Sequence, residues 1–274
     1  MTDAPAAALA NPAELAARLT AAQAQRAGIA ALTTTCGAFG EATAYQVQDA
    51  VVAARTAAGH VVTGAKLGLT SAAKQRQMKV SEPLYGWLTS DIALDVGQPL
   101  DCGAFIQPRC EPEIAFLLGR DLIGPQVTAA HVLAATAAVF PAIDVLDSRF
   151  AGYSFTLPDV IADNASAAGY LLGGQATEPR GVDLRLTGLV LEKNGELAAT
   201  AAGAAVLGHP AAAVAWLARV LHGRGRGLAA GQVVLAGALT EALPVAPGDV
   251  IVAHFDRLGS VELACSQLSG REPG

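Results

Sequence analysis

The chain shows two different patterns of apolar and polar residues. The first sixty residues are rich in alanine and other helix formers, and they predict two helices, Ala13–Ala27 after an Asn11-Pro12 start and Glu41–Ala58. Beyond them, short apolar runs are broken by glycine, proline and aspartate, as is typical of strands joined by turns. The pattern predicts a helical N-terminal segment over residues 1–60 and a β-rich domain over residues 61–268.

The β-rich part contains two further helical patterns and several clear strands. Helices are predicted over Val127–Ala138 and Pro210–Arg224. Strands are predicted over Leu186–Leu191, Gln232–Ala236 and Val250–Phe255. Helices and strands are therefore both expected in this part of the chain.

Acidic residues inside apolar runs are the most informative chemical feature. Glu111 and Glu113 are separated by one residue at the start of a run that continues to Leu118, so a strand would project both carboxylates from one face. Asp144 lies inside a second apolar run. Buried carboxylates are costly unless a positive charge compensates them, and oxygen ligands suit a hard divalent cation. The pattern indicates a metal-dependent enzyme.

Composition narrows the class of protein. The 274 residues are 52% hydrophobic and 15% charged, which indicates a compact globular protein. A net charge of -6 provides no basic surface for nucleic acid, so a small-molecule substrate is favoured. The N-terminus lacks a signal-peptide pattern, and no uninterrupted apolar run is long enough to cross a membrane. We expect a cytoplasmic protein with no membrane partner, whose four cysteines are reduced thiols.

Two polar segments are further candidates for the site. Lys66 lies between apolar residues before the small hydroxyl-bearing pair Thr70-Ser71, where it could be partly buried and face an anionic substrate, or be an ordinary surface lysine. Residues 163–166 form a compact polar cluster, for which a helix cap or turn is the favoured interpretation. No phosphate-binding glycine loop and no serine-histidine-acid arrangement is evident.

Five motifs in sequence order carry a family resemblance over roughly residues 40–265. They are Lys66-Leu67-Gly68-Leu69-Thr70-Ser71, Gln107-Pro108-Arg109-Cys110-Glu111-Pro112-Glu113-Ile114-Ala115-Phe116, Asp144-Val145-Leu146-Asp147-Ser148-Arg149, Ala162-Asp163-Asn164-Ala165-Ser166 and Glu192-Lys193-Asn194-Gly195. Together they resemble the 2-keto-4-pentenoate hydratase and 4-oxalocrotonate decarboxylase family, a branch of the fumarylacetoacetate hydrolase superfamily.

The resemblance implies a fold and a metal. The fold would be α+β, with a mixed β-sandwich or β-roll body of the fumarylacetoacetase C-terminal-like type and a helical N-terminal part. Mg²⁺ or Mn²⁺ would be held by Glu111, Glu113 and Asp144. The hydratases and decarboxylases usually have glutamate where this chain has Asp144, which is one methylene shorter, so the metal would lie closer to that strand or be reached through water.

The shared chemistry of the family allows two reactions. A 2-oxo acid chelates the divalent ion, which acts as a Lewis acid on the ketone and lets electron density arrive from a distant carbon. Decarboxylation of 2-oxo-3-hexenedioate and hydration of 2-hydroxypenta-2,4-dienoate both use this electron sink. Similar hydratases carry aspartate in a Pro-Asp-Phe-Gly motif, where this chain has Leu84 followed by Tyr85.

The decarboxylase is therefore the favoured interpretation, and the hydratase is the alternative. Lys74 and the Gly208-His209-Pro210 turn also look like the decarboxylases, whereas Gln107-Pro108-Arg109 and residues 119–125 look as much like the hydratases. Lys66 would balance a substrate carboxylate and stabilise the developing enolate, and Tyr85 would donate a hydrogen bond. The candidate substrate-binding residues are Thr70, Ser71, Arg149, Ser166 and Thr240, although Arg149 could instead brace Asp147.

The resemblance also implies partners. The substrate would be a small 2-oxo acid, the chain would form a homo-oligomer, and it could associate with a paired hydratase. A non-catalytic subunit that only stabilises such an enzyme is a further alternative. Retention of Lys66, Glu111 and Glu113 argues against that alternative, because a structural subunit has no evident need for buried carboxylates held together.

Overall fold

Helices pack around two β-sheets in this computed structural model, which describes residues 11–71, 75–76 and 80–266. The helices are α1 (Pro12–Gln25), α2 (Leu32–Thr35), α3 (Glu41–Ala57), α4 (Ala129–Ala135), α5 (Leu157–Ala162) and α6 (Pro210–Gly223). The strands are β1 (Val62–Gly68), β2 (Leu84–Thr89), β3 (Arg109–Leu118), β4 (Thr136–Leu146), β5 (Ala167–Leu172), β6 (Gly188–Lys193), β7 (Glu196–Ala202), β8 (Val233–Leu235), β9 (Leu243–Pro244), β10 (Val250–Phe255) and β11 (Gly259–Ala264).

The two N-terminal helices start close to where the sequence predicts and end earlier. The side chain of Asn11 accepts a hydrogen bond from the backbone N–H of Ala13, and Pro12 occupies the first turn of α1. Helix α1 ends at Gln25, two residues before the predicted boundary, and its C-cap Arg26 has a left-handed φ of 52°. Helix α3 ends one residue before the predicted boundary. Both helices bury an apolar face that belongs to the same hydrophobic core as the sheets. The division into two domains stays a prediction.

The larger sheet carries the residues that matter most for function. Its strand order is β2-β1-β8-β3-β4-β5, and β9 pairs with one end of β3. The β1–β8 pair is parallel, and the other pairs in this sheet are antiparallel. Strands β3 and β4 pair along nearly their whole lengths, from Arg109 opposite Leu146 to Leu118 opposite Thr136. This long central pair is buried on both faces over most of its length.

A second sheet closes the body. Its order is β11-β10-β6-β7, all antiparallel, and strands β10 and β11 pack against β4 of the larger sheet. Val250–Phe255 is a strand with the predicted bounds, whereas the strand predicted over Leu186–Leu191 lies two residues further along, at Gly188–Lys193. The predicted strand over Gln232–Ala236 shortens to Val233–Leu235.

The helix predicted over Val127–Ala138 was too long. Its start is capped by Thr128, whose hydroxyl accepts a hydrogen bond from the N–H of His131, but the helix ends at Ala135. Residues 136–138 already belong to β4, where they pair with the end of β3. Alanine is compatible with either state, so tertiary pairing overrides its local preference for helix.

One stretch of the described residues, Gly203–Gly223, has the length and mean hydropathy of a membrane-crossing helix. Left-handed residues Leu207 and Gly208 break it, and α6 starts only at Pro210, with His209 as its N-cap through a 3.0 Å bond from the N–H of Ala211. Helix α6 packs against α4, and its apolar face belongs to the core. These contacts are those of a core helix.

Candidate active site

Three carboxylates meet at the centre of the larger sheet. Glu111 and Glu113 project from the same face of β3, and Asp144 lies directly opposite Glu111 on β4. One carboxylate oxygen from each residue lies within 4.8 Å of the others. All three side chains are buried, Glu113 and Asp144 completely. Strand alternation on β3 and antiparallel register with β4 therefore produce the predicted cluster.

The electrostatics of this cluster are unfavourable without a cation. Burial, and next the negative charge of Asp144, raise the pKa of Glu113 well above its ordinary value, although the charge of Lys66 opposes that rise. Glu113 Oε2 accepts a 2.6 Å hydrogen bond from the N–H of Gly237, while Oε1 accepts none from the described residues. An oxygen that is buried and without a hydrogen bond is a natural ligand atom for a metal ion.

Gly237 approaches the cluster because it has no side chain. Its φ is +110°, and a Cβ at this position would lie 2.1 Å from the hydroxyl oxygen of Thr70. Any other residue would push Thr70 away or withdraw the N–H that binds Glu113. The buried Thr70 thus packs beside the residue that holds Glu113, on the side of the cluster where the sequence predicted a hydroxyl.

Lys66 is a buried cation beside the acids. Its Nζ forms an ion pair with Asp144 Oδ2 and donates a 3.1 Å hydrogen bond to the carbonyl of Ala165. The side chain is only 2% exposed, which decides between the two interpretations of its sequence: Lys66 is not a surface lysine.

The turn that contacts Lys66 is conformationally strained. Asn164, Ala165 and Ser166 have φ values of 51°, 54° and 55°, a left-handed conformation that costs of order 1 kcal/mol or more per residue. The side chain of Asn164 compensates by exchanging two hydrogen bonds with the backbone of Trp87, at 2.8 and 2.9 Å. The polar cluster at residues 163–166 is therefore a turn, as favoured from the sequence, and it points the Ala165 carbonyl at Lys66.

A cavity of about 340 Å³ opens beside this cluster. Both charged and apolar residues bound it. Its lining consists of Lys66, Gly68, Leu69, Leu84, Arg109, Glu111, Leu146, Tyr153, Phe155, Val160, Ala165, Ser166, Glu241 and Ala242. A small organic acid can therefore reach both Lys66 and the carboxylate cluster from one side.

Only some of the residues with predicted substrate-binding hydroxyls line this cavity. Ser166 lines it, and its hydroxyl donates a 3.2 Å hydrogen bond to Asp163. Thr240 does not line the cavity, but its hydroxyl donates a hydrogen bond to the carbonyl of Glu241, and Glu241 does line it. Ser71 stands at the edge of the described residues, and Lys74 lies outside them. The roles of these residues stay predictions.

The structure does not support a catalytic role for Tyr85 in this site. In the β1–β2 register Tyr85 pairs with Leu67, whereas Lys66 pairs with Gly86, so Tyr85 and Lys66 project from opposite faces. The ring of Tyr85 stacks on Tyr45, and Arg224 donates a 3.3 Å hydrogen bond to its hydroxyl. The neighbouring Leu84 is the residue that lines the cavity. Tyr85 therefore projects away from Lys66, and its catalytic role stays a prediction that these contacts do not support.

The contacts of Arg149 favour the bracing role over substrate binding, which stays a prediction. Its guanidinium is buried and forms an ion pair with Asp163. It also donates hydrogen bonds to the carbonyls of Asp147 and Ala167, at 2.8 and 3.3 Å. Arg149 thus braces the strained turn and does not line the cavity. Asp147, the partner suggested from the sequence, contributes its carbonyl, while its carboxylate accepts from the N–H groups of Ile106 and Gln107.

Sequence reasoning missed several residues of the cavity. Arg109 was recognised only as part of a motif, although the alternation that places Glu111 and Glu113 on one face of β3 places Arg109 there as well. Tyr153 and Phe155 belong to an irregular segment between β4 and α5, which carries no periodic pattern. Glu241 follows β8 without a strand or helix signal. Only the strand residue had a signal that could have identified it.

The comparisons with known proteins agree with this site. The family model described as "Fumarylacetoacetate (FAA) hydrolase C-terminal" matches residues 49–264. The chain belongs to the fumarylacetoacetate hydrolase family. A 4-oxalocrotonate decarboxylase from Pseudomonas sp. (strain CF600) is 44% identical over 220 residues, 80% of this chain and 83% of the relative. A 2-keto-4-pentenoate hydratase from Paraburkholderia xenovorans (strain LB400) is 42% identical over 229 residues, 83% of this chain and 85% of the relative.

The fold is likewise that of a solved family member. The structure of 4-oxalocrotonate decarboxylase from Pseudomonas putida G7, complexed with magnesium and adipate, matches with a TM-score of 0.90 and 39% identity, over 93% of this chain and 97% of that chain. This confirms the predicted α+β class with its fumarylacetoacetase-like body, and the family resemblance stated from the five motifs.

Proposed function

We propose that this protein is a lyase that decarboxylates 2-oxo-3-hexenedioate to 2-hydroxypenta-2,4-dienoate, in the meta-cleavage breakdown of aromatic compounds. Its relatives include decarboxylases and hydratases, and both reactions begin from a small 2-oxo acid or its enol. The buried carboxylate cluster, Lys66 and the cavity beside them provide a site of suitable size and charge.

One observation favours decarboxylation over hydration. Leu84, at the position where similar hydratases carry aspartate, faces the cavity on the same side of the sheet as Lys66. A leucine transfers no proton, so this position supplies no acid or base for adding water. Val160 and Phe155 extend the apolar surface around it. Loss of carbon dioxide needs no water-activating base, and an apolar wall suits it.

The donor set fits a hard divalent cation such as Mg²⁺ or Mn²⁺. Glu111, Glu113 and Asp144 would hold it, since their oxygens lie within 4.8 Å of one another and Glu113 Oε1 has no hydrogen bond from the described residues. When bound, the ion supplies Lewis acidity to the ketone of a chelating 2-oxo acid. The shorter Asp144 is drawn toward Lys66 by their ion pair, so we propose that Lys66 compensates part of its charge.

Lys66 stabilises the negative charge that develops during the reaction. The C5–C6 bond of the substrate breaks, C6 leaves as carbon dioxide, and the electron pair delocalises through the C3–C4 double bond to the ketone oxygen. The ammonium of Lys66, held in place by the Ala165 carbonyl, stabilises the negative charge that develops on that oxygen. The enol product forms when the oxygen gains a proton.

The decisive experiment supplies the two substrates separately. Purified protein with magnesium is mixed with 2-oxo-3-hexenedioate or with 2-hydroxypenta-2,4-dienoate, and both carbon dioxide release and dienol absorbance are followed. We expect carbon dioxide from the first compound. Turnover of only the second compound, without carbon dioxide, would replace the proposal with the hydratase function that the 42% identical relative carries.

A structural role without catalysis predicts a different result. In that case neither compound would be turned over, and Glu111→Ala would have the same thermal stability as the wild type with or without magnesium. Metal-dependent stabilisation of the wild type that Glu111→Ala lacks would support the enzyme.

We also propose a homo-oligomeric cytoplasmic enzyme that associates with a paired hydratase. The product of the proposed reaction is the substrate of such a hydratase, which gives the association a chemical advantage. Light scattering of the purified protein would measure the oligomer. Co-purification with a co-expressed 2-keto-4-pentenoate hydratase would test the complex, and separate elution at micromolar concentration would contradict it.

A further inference from the structure

Arg109 is placed to face a bound substrate. It is the first residue of β3, two positions before Glu111, and therefore projects from the same face of the strand as Glu111 and Glu113. Burial falls along this row, from the fully buried Glu113 through Glu111 to the half-buried Arg109. Arg109 and Glu111 both line the cavity. The row thus runs from the buried acids toward the cavity mouth.

An aromatic ring fixes the orientation of Arg109. Its guanidinium carbon lies 4.0 Å from the centroid of the Tyr153 ring. The hydroxyl of Tyr153 donates hydrogen bonds to the carbonyls of Gln107 and Leu146, both at 3.2 Å, which anchor the ring at two points. A guanidinium held over an aromatic ring by a cation–π contact still has N–H groups that can donate to a ligand.

The charge of Arg109 is uncompensated within the described part of the chain. Its side chain forms neither an ion pair nor a hydrogen bond with any described residue. Its guanidinium makes a cation–π contact with the ring of Tyr153. Lys66, the other cation in the cavity lining, is already paired with Asp144. An oriented arginine with open N–H groups is a receptor for a carboxylate, which it can bind through two parallel hydrogen bonds.

We propose that Arg109 binds the second carboxylate of the substrate, the one remote from the 2-oxo acid group, and makes the site selective for dicarboxylates. The inference rests on the proposed function, which places the 2-oxo acid end at Glu111, Glu113 and Asp144. Arg109 and Glu111 are two positions apart along the strand, a rise of roughly 7 Å. The carbon chain of a six-carbon diacid has a comparable length, so its two ends reach the two groups together.

This role has a kinetic signature. Arg109 binds the remote carboxylate while it is charged, but that group leaves as neutral carbon dioxide, so the interaction weakens in the transition state. Removing it should raise KM without lowering kcat. Removing a residue that stabilised only the transition state would instead lower kcat and leave KM unchanged.

The binding experiment uses two stable 2-oxo acids that differ only in the remote carboxylate. Calorimetry with magnesium compares 2-oxohexanedioate with 2-oxohexanoate. We expect the wild type to prefer the diacid by roughly tenfold to a hundredfold, and Arg109→Gln to lose that preference while it still binds the monoacid. Arg180→Gln removes an equal charge from an exposed site and should keep the preference.

Two results separate this proposal from the function on which it rests. If Arg109→Gln keeps the preference of the wild type, or if its kcat falls while its KM is unchanged, Arg109 is not the receptor for the second carboxylate. If the wild type with magnesium binds neither acid, the 2-oxo acid function itself fails. Arg109→Lys keeps the charge but loses the planar fork, and we expect an intermediate preference.

Discussion

Glu111 and Asp144 occupy directly opposite positions on the antiparallel strands β3 and β4. Like charges opposite each other destabilise a sheet, and here both side chains are buried. Lys66 forms an ion pair with Asp144, and a divalent cation would add further positive charge to the cluster. Such a sheet should be more stable with the metal than without it, and the dependence can be measured.

Magnesium or manganese should therefore stabilise the protein against heat. Binding at a hundred times the dissociation constant contributes about 2.7 kcal/mol to the free energy of unfolding. Glu111→Gln should abolish most of the increase in melting temperature, because it removes a ligand charge and keeps the shape. Glu241→Gln, an acid of the same cavity outside the cluster, serves as the control. Equal metal responses in both variants would show that the ion binds elsewhere.

Loss of Lys66 should destabilise the metal-free protein strongly. Lys66→Met removes the buried ammonium that pairs with Asp144, and loss of one member of a buried ion pair typically costs about 3–5 kcal/mol. Adding Asp144→Leu to this variant should recover part of the loss, since the pair is then apolar. Urea unfolding measures both effects. If the double variant were as unstable as the sum of the single ones, the two residues would not be coupled.

Leu84 should separate the two reactions of the family. Leu84→Asp introduces a group that can transfer a proton at the cavity wall, so we expect decarboxylation of 2-oxo-3-hexenedioate to fall and hydration of 2-hydroxypenta-2,4-dienoate to appear. In Leu84→Asn the new side chain is polar and similar in size to aspartate, but it cannot act as a base. This variant should lose decarboxylation without gaining hydration. Hydration by both variants would mean that the acid at this position is not responsible.

Tyr85→Phe should leave the reaction almost unchanged. The hydroxyl of Tyr85 contacts Arg224 on the face of the sheet opposite to Lys66, so its removal affects a packing contact and not the cavity. We expect kcat and KM within about twofold of the wild type, and a stability loss of about 1 kcal/mol. A large loss of kcat at unchanged stability would restore Tyr85 to the catalytic residues.

Asp163 should introduce a pH dependence of stability in the mildly acidic range. Burial raises its pKa from 3.8 to about 6, although Arg149 opposes the rise. The unfolded chain then releases this proton at a lower pH than the folded one, so the contribution of Asp163 is fully present below pH 3.8 and is lost as the pH rises to about 6. Above that range its contribution is constant.

The comparison of wild type with Asp163→Asn isolates this effect. The variant cannot titrate at this position, so the difference between the two unfolding free energies should change across that interval and level off above it. The shift corresponds to an order of 3 kcal/mol. A difference that does not vary with pH would mean that Asp163 titrates alike in both states.

The strand residues of the site were predictable because their geometry is local. Alternation along β3 follows from the backbone alone, so the spacing of Glu111 and Glu113 was sufficient to place them on one face. Asp144 could be suspected from its apolar surroundings. Its position opposite Glu111 required the register between β3 and β4, which no single segment encodes.

Tyr85 and Arg149 show where a motif is insufficient. Both lie near site residues in the sequence. In the β1–β2 register, however, Tyr85 projects from the face opposite to Lys66, and the guanidinium of Arg149 forms an ion pair with Asp163. Which polar group meets which partner depends on several elements packing at once. That information is absent from a motif of a few residues.

The sequence by itself determined the helical and strand-rich regions, the family and the acidic residues of the cluster, because periodicity and residue chemistry act over short distances. Tertiary structure alone decided that Lys66 is buried against Asp144, that Leu84 and not Tyr85 faces the cavity, and that Arg109 stays unpaired within the described residues. The physical reason is that register, burial and charge pairing arise only when distant segments desolvate one another.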